Sequence, residues 1–139
     1  MDDTLPEVRY SRSGDVHIAY QVLGEGEVDL VFVMFYFADP SSAVLTGLDL
    51  VEQTPAAVDV RARVGINAGN VVFREGDYFG RTVNVASRIA DYARPGEVLV
   101  SGEVKERFGG DGVRFAEIGP VALKGLREEL TLYAVSRAA

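Results

Sequence analysis

The segment RTVNVASRIADYARPGEVLVS, residues 81 to 101, changes its hydrophobic pattern near the middle, and this change restricts the possible folds. Up to residue 93 its apolar residues follow helical spacing, whereas residues 98 to 100 form a short apolar run typical of a buried strand. Arg94, Pro95 and Gly96 end the helix, since proline cannot continue it and glycine favours its C-terminal cap. This helix is expected to pack on a sheet through an apolar face of Val83, Ala86, Ile89, Ala90 and Ala93.

The rest of the chain alternates strand-like and helix-like segments in the order β-β-α-β-β-α-β-α-β-β. Residues 16 to 23 and 29 to 37 predict a hairpin with GEGE as its turn, and a helix of about 12 residues follows, with Ser41 or Ser42 as its N-cap and Val44, Leu45, Leu48 and Val51 at helical spacing. The segment REGDYFG, residues 74 to 80, is interpreted as a connection. This order predicts an α+β fold in which helices pack on a sheet. The later predicted elements are strand-like residues 60–73, which account for two strands of this order, 97–101, 113–119 and 130–136, and helix-like residues 81–93 and 102–109.

Composition narrows the class of protein. A chain of 139 residues with 47% hydrophobic content has enough apolar material for one modest core. A formal net charge of −7 without a dense basic run argues against nucleic acid or an anionic membrane as a partner. The longest apolar run, residues 30 to 38, is far shorter than the roughly 20 residues that span a bilayer, and residues 1 to 15 do not resemble a signal peptide. With no cysteine, a cytoplasmic protein is expected.

Polar residues on the helix of residues 81 to 93 permit two interpretations. In the first, these residues form a nucleotide site: Asn84 and Arg88 lie one turn apart on the helix, and Asp77 precedes it. The guanidinium of Arg88 suits phosphate oxygens, the amide of Asn84 suits a ribose oxygen, and the carboxylate of Asp77 suits an amine of the base. In the other interpretation, Arg88 pairs with Asp91 or Glu97 at the surface, Asn84 is solvated and Asp77 shapes a turn. The spacing alone leaves both open.

The segment RVGINAGNVVFREGDYFGRTVNVASRIADYARPGEVLVS, residues 63 to 101, resembles the second half of the class III adenylate and guanylate cyclase catalytic domain. The shared pattern is an Asp, an aromatic-Gly pair and T-V-N-x-A-x-R, and the likeness extends over residues 34 to 137. It implies a ferredoxin-like sheet with packed helices and the conversion of ATP to cyclic AMP and pyrophosphate, the reaction of a phosphorus-oxygen lyase. It also implies that Asp77 favours adenine, that Asn84 orients the ribose, that Arg88 meets charge on the α-phosphate, and that Lys124 of LKG contacts the phosphates.

The same resemblance implies a metal requirement that the sequence does not meet. The family uses two Mg²⁺ or Mn²⁺ ions held by aspartates of an F-x-D-I strand and a G-D-G hairpin, and this chain has neither motif. Residues 30 to 32, Leu-Val-Phe, stand in the place of G-D-G, and Glu27 is near the place of the family's adenine-contacting Lys. Asp29 and Asp39 are the nearest carboxylates, but Asp is common in turns of this kind. No metal ligand is therefore assigned, and little or no activity is expected from the chain alone.

Residues 8 to 33, VRYSRSGDVHIAYQVLGEGEVDLVFV, resemble the opening strands of an α/β-hydrolase domain of the sort fused ahead of cyclase domains in some actinobacterial proteins. No G-x-S-x-G elbow accompanies them, and the single histidine, His17, is interpreted as a strand side chain. The predicted organisation is a hydrolase-like hairpin remnant at residues 1–33 and the C-terminal part of a cyclase homology domain at 34–139. A deletion in a longer two-domain ancestor would produce such a truncated chain.

Several functions are compatible with this organisation. The chain is expected to retain the nucleotide half-site, to take ATP or GTP, and to form a homodimer or a heterodimer with a cyclase domain, because the missing strands would leave apolar sheet surface exposed. The alternative is a non-catalytic module that docks on and modulates a full-length cyclase. A pseudogene-like relic is the other possibility, and hydrolase activity is disfavoured by the missing elbow.

Overall fold

The computed structural model describes residues 9–13, 16–22, 31–53 and 62–139, and it divides the chain into two units, residues 1 to 36 and 37 to 139. In the first unit, Arg9–Ser13 (β1), Val16–Val22 (β2) and Val31–Met34 (β3) form an antiparallel sheet in the order β1-β2-β3. Strands β2 and β3 are the predicted hairpin. Strand β1 is a further strand that the hydrophobic pattern did not indicate. His17 lies in β2, opposite Arg12 of β1. The predicted GEGE turn lies outside the described residues.

The second unit is a helix-covered sheet, which confirms the α+β class. Its elements are α1 (Pro40–Gln53), β4 (Val64–Ile66), β5 (Val72–Arg74), β6 (Asp77–Phe79), α2 (Arg81–Tyr92), β7 (Val98–Ser101), α3 (Gly102–Arg107), β8 (Val113–Val121) and β9 (Leu130–Arg137). The sheet has the order β4-β7-β9-β8, with β4 parallel to β7 and the other pairs antiparallel, while β5 and β6 form a separate hairpin. Of the helices described, none has the length and apolar content to cross a bilayer.

Strand β7 is buried along its whole length because helices cover both faces of the sheet. Val98 and Val100 point into a cluster with Val44 of α1 and Val104 of α3. Leu99 points to the opposite face, where it packs with Ile89 of α2. Successive strand residues face opposite sides of a sheet, so the short apolar run seen in the sequence serves two cores.

Helix α2 lies unusually close to β4. A Cβ added at Gly65 would come within 2.6 Å of the carbonyl oxygen of Ala86 and would also collide with the backbone nitrogen of Ala90. Glycine on the strand and alanines on the helix are therefore needed for the two backbones to approach. The chain runs from β4 through the β5–β6 hairpin and α2 to β7, which is the crossover that two parallel strands require.

The apolar face of α2 differs in one respect from the prediction. Ile89 is fully buried and Ala93 nearly so, as expected, but Val85 is also buried and was missed. The remaining predicted residues, Val83, Ala86 and Ala90, are only half-buried.

The N-cap predicted for α1 was wrong, because the capping residue is Asp39. Its carboxylate accepts the backbone N–H groups of Ser41 at 3.1 Å and Ser42 at 3.3 Å. The hydrogen bond from the Ser41 backbone is the main cause that lowers the pKa of Asp39 below its usual value of 3.8. Pro40 occupies the first helical position, where its missing N–H costs nothing.

The segment interpreted as a connection, residues 74 to 80, contains half of a hairpin. Arg74 of β5 pairs with Asp77 of β6 across a two-residue turn of Glu75 and Gly76. Both turn residues have positive φ, 52° and 78°, which is the conformation of a type I′ turn. The strand prediction failed here because the two strands have three residues each and the turn sequence is Glu-Gly rather than Asn-Gly.

Candidate functional site

An open cleft of about 760 Å³ lies between α2 and the loop that joins β8 to β9. The cleft brings together three of the four residues singled out from the sequence, Asn84, Arg88 and Lys124, while Asp77 is not in its lining. The lining residues are Gly80, Arg81, Asn84, Ser87, Arg88, Lys124, Gly125, Leu126, Arg127 and Glu128.

The α2 wall of the cleft is positioned by the core beneath it. Val85 and Ile89 are buried against the sheet. Asn84 and Arg88, each directly before one of these buried residues, remain exposed on the outer face. The helix begins after Gly80, whose carbonyl accepts the backbone N–H of Asn84 at 3.1 Å. Gly80 has a φ of 123°, a conformation that residues with a Cβ rarely adopt. The first turn of α2 therefore has a glycine in place of a side-chain cap, and this leaves its end open to the cleft.

The loop wall is a tight turn anchored in the same core. The backbone N–H of Leu126 donates to the carbonyl of Leu123 at 3.1 Å, and Gly125 at the third position of the turn has a φ of 82°. Leu123 is 5% exposed, and both leucines pack into the cluster that contains Ile89. Lys124, between these anchors, is exposed. One core thus fixes the two walls relative to each other.

A hydrogen-bond network attaches the start of α2 to the sheet, and sequence reasoning missed it. The amide nitrogen of Asn67 donates to the carbonyl of Thr82 at 3.2 Å, and the buried hydroxyl of Ser101 donates to the amide oxygen of Asn67 at 2.7 Å. The Thr82 hydroxyl in turn donates to the carbonyl of Asn70 at 2.7 Å. The sequence contained one signal for this network: Asn67 and Ser101 each directly follow a short, largely apolar run. The two runs form neighbouring parallel strands, whose carboxyl ends lie at one edge of the sheet.

The ion pairs near the cleft include one of the two that the second interpretation of the sequence offered for Arg88. Arg88 lies 3.6 Å from Asp91, with side chains 43% and 53% exposed, whereas Glu97 pairs with Arg94 at 3.8 Å. An exposed pair at this separation contributes little free energy, so the Arg88 guanidinium is available to another anion.

Asp77 forms a contact typical of a turn residue. Its carboxylate accepts the backbone N–H of the next residue, Tyr78, at 2.8 Å, and the side chain is half-buried. Asp77 begins the strand β6 that leads into Gly80 of the cleft. Asp77 is therefore near the cleft in the chain but is not in the lining that Asn84, Arg88 and Lys124 share.

The cleft does not have the side chains that a divalent cation requires. Mg²⁺ and Mn²⁺ are bound by several oxygen ligands, but the lining contains four cationic side chains and a single carboxylate, Glu128. Across the described residues, no group of three or more His, Cys, Asp or Glu side chains is arranged to hold a metal ion. The donor set of this cleft therefore fits an anion and does not fit the metal ions of a cyclase.

Comparisons with known proteins agree on one family. A family model for the adenylate and guanylate cyclase catalytic domain matches residues 26–137. A pH-sensitive adenylate cyclase from Mycobacterium tuberculosis is 41% identical over 112 residues, which cover 77% of this chain and 28% of that protein. An adenylate cyclase from Streptomyces griseus is 42% identical over 71 residues, which cover 50% of this chain and 18% of the relative. The chain thus spans little more than a quarter, at most, of the length of these relatives.

Among solved structures, an adenylate/guanylate cyclase/hydrolase from Silicibacter pomeroyi has a similar fold, with a TM-score of 0.57 and 23% identity over 86% of this chain and 74% of that one. The family match begins at residue 26, so it includes eight residues, 26 to 33, that also belong to the predicted hydrolase-like segment. The hydrolase-like origin of residues 1–33 stays a prediction. Since the match covers 112 of the 139 residues, the chain belongs to the adenylate and guanylate cyclase catalytic domain family.

Proposed function

We propose that this chain is a class III cyclase homologue that supplies the nucleotide half of an active site and forms little or no cyclic nucleotide by itself. The observation that supports the proposal is the shared cleft of Asn84, Arg88 and Lys124. These three residue types match the family motif, and they come from two separate parts of the chain. In this proposal the ligand is ATP or GTP and the protein acts in the cytoplasm.

The chemistry assigns a role to each residue. Attack of the ribose 3′-oxygen on the α-phosphorus forms the cyclic phosphate and releases pyrophosphate, so negative charge develops on the α-phosphate and the leaving group. Asn84 holds the ribose in line, Arg88 stabilises the charge on the α-phosphate, and Lys124 binds the pyrophosphate end. Asp77 is proposed to select adenine, which requires its carboxylate to exchange the Tyr78 N–H for a base amine.

The metal half of the site is assigned to another chain. In the family, aspartates hold Mg²⁺ or Mn²⁺, and ions held there would supply positive charge for the attacking oxygen and the leaving group. Here residues 30 to 32 are Leu-Val-Phe, and the cleft has a single carboxylate. A heterodimer with a cyclase domain that has both aspartates would complete the site, whereas a homodimer of this chain would not.

The test is cyclic AMP and cyclic GMP formation from Mn²⁺-ATP and Mn²⁺-GTP. The protein is assayed alone and mixed with a related cyclase that keeps its metal-binding aspartates but is disabled at its own Asn/Arg pair. Activity is expected in the mixture only, and Arg88→Ala should lower it roughly 100-fold or more. Arg114→Ala, an exposed substitution on β8 outside the cleft, is the matched control. Activity from the protein alone would refute the missing metal half, and silence in both assays would favour a relic.

Exposed apolar side chains on the β5–β6 hairpin favour a second candidate, a non-catalytic module that docks on a full-length cyclase. Val72, Phe73 and Phe79 are 53%, 62% and 52% exposed, and neighbouring apolar side chains of this size commonly mark a protein interface. In this case Phe73→Ser should abolish the effect on an intact cyclase and Arg88→Ala should leave it unchanged. The half-site proposal predicts that Arg88→Ala removes the contribution.

A further inference from the structure

The cleft concentrates positive charge in an acidic protein. Its lining contains Arg81, Arg88, Lys124 and Arg127 and one carboxylate, Glu128, a formal excess of three positive charges, whereas the whole chain has a formal net charge of −7. The basic lining is therefore not a general property of the surface. A concave site lined by one sign of charge attracts ligands of the opposite sign.

Two of these four cations have no role in the resemblance to the cyclase family. Arg81 is the first residue of α2, and Arg127 lies three residues beyond Lys124 in the loop between β8 and β9. Each wall of the cleft thus contributes two cations. Among the described residues, none of Arg81, Lys124 and Arg127 is in an ion pair, and Arg88 has only the exposed pair with Asp91.

The arrangement on α2 fits a linear polyanion better than a single phosphate. Arg81, Asn84 and Arg88 have the spacing i, i+3, i+7, which places them in one row on the helix surface. At 1.5 Å per residue, the row extends roughly 10 Å along the helix axis. Lys124 and Arg127 face this row from the other wall. A chain of linked phosphates presents several charges in sequence and can contact cations along such a row, whereas an isolated phosphate reaches fewer of them.

We propose that the cleft binds a polyphosphate chain directly and without a divalent cation, and that Arg81 and Arg127 are phosphate-binding residues in addition to Arg88 and Lys124. The polyphosphate is that of a nucleoside triphosphate or free pyrophosphate. This inference rests on the proposed function for its choice of ligand. Its physical basis is the cleft itself, since the four cations neutralise an anion that metal ions neutralise in most nucleotide sites.

The test is isothermal titration calorimetry in EDTA with ATP, inorganic pyrophosphate and adenosine as separate probes. ATP or pyrophosphate should bind, and raising the salt concentration toward 1 M should weaken binding because the interaction is between charges. Arg81→Gln and Arg127→Gln should each weaken binding roughly five- to tenfold. Arg114→Gln removes the same charge from an exposed position outside the cleft and should bind like the unmodified protein. Circular dichroism checks that each variant is folded.

The outcomes separate this inference from the proposed function. Pyrophosphate binding as strong as ATP binding, with adenosine inactive, would identify the phosphate chain as the ligand, and binding of ATP alone would identify the nucleotide. The inference is overturned if no probe binds in EDTA, or if the Arg81 and Arg127 variants bind like Arg114→Gln while Arg88→Ala does not bind. If binding depends on Arg81 and Arg127 but the mixed cyclase assay is silent, the polyphosphate site stands and the half-site function fails.

Discussion

The hydroxyl of Ser101, at the end of β7, donates a 2.7 Å hydrogen bond to the side-chain oxygen of Asn67, which follows the parallel strand β4. The amide nitrogen of Asn67 then donates to the carbonyl of Thr82 in the first turn of α2. The start of the helix that carries Asn84 and Arg88 is thereby attached to two strands of the sheet. This network attaches the α2 wall of the cleft to the sheet, and the turn that begins at Leu123 anchors the loop wall in the core.

Removing Asn67 should loosen this attachment. Asn67→Ala leaves the Ser101 hydroxyl, in a residue 4% exposed, without its acceptor, and a buried polar group without a partner costs about 1–3 kcal/mol of unfolding free energy. Urea denaturation of Asn67→Ala, Ser101→Ala and the double variant measures the coupling. The double variant should lose at least about 0.5 kcal/mol less than the two single losses combined. Strict additivity would show that the hydrogen bond does not stabilise the protein.

Gly65→Ala should be one of the most damaging small substitutions in the chain. The added methyl group would collide with the α2 backbone at Ala86 and Ala90, and neither backbone moves cheaply, so a loss of roughly 3 kcal/mol is expected. Gly102→Ala is the matched control, since a Cβ there meets only Tyr133 at 3.8 Å, an ordinary van der Waals contact. Equal stability of the two variants in chemical denaturation would contradict the close packing of α2 on β4.

Leu123 packs into the core that supports both walls of the cleft, so removing its side chain should affect both stability and binding. Leu123→Ala and Leu48→Ala remove the same side chain from positions 5% and 3% exposed, on opposite faces of the sheet. Each should cost about 2–5 kcal/mol of unfolding free energy. Since only Leu123 supports the Lys124 turn, only Leu123→Ala should also weaken polyphosphate binding by more than its unfolded fraction explains. Calorimetry below the unfolding temperature of both variants checks this, and equal affinities would show that the Leu123 core does not position the cleft.

The cap at Asp39 predicts a pH dependence of stability. The pKa of Asp39 is lowered in the folded protein, mainly by the hydrogen bond from the Ser41 backbone. A carboxylate with a lowered folded-state pKa stabilises the protein above its unfolded pKa, near 3.8, and this contribution is lost as the pH falls further through the folded-state pKa. Asp39→Asn keeps a capping side chain but does not titrate. The difference in melting temperature between the unmodified protein and Asp39→Asn should therefore shift against the unmodified protein below pH 3.8, and an unchanged difference would contradict the cap.

Features of this protein that depend on residues close together in the chain were predictable from the sequence, and features that depend on distant residues were not. The helix of residues 81 to 93, the strands after it and the polar face with Asn84 and Arg88 were predictable, because they depend on residues one or two turns apart. Val85 was missed because the cluster that buries it also uses Leu123 of the β8–β9 loop and Leu132 of β9, which are distant in the chain. The Asp39 cap was missed because two serines within the helix were equally plausible by type.

The sequence by itself determined the alternation of helices and strands, the family, and which residue types are available for nucleotide chemistry, since these follow from local periodicity and motif spacing. Only the tertiary structure decided which of those residues meet. Lys124 and Arg127 face α2 because Leu123 packs into the same core as Ile89, and Asp77, at the start of β6, is not among the residues that line the cleft. Cooperation between residues far apart in the chain depends on the packing of a shared core, and no local pattern encodes it.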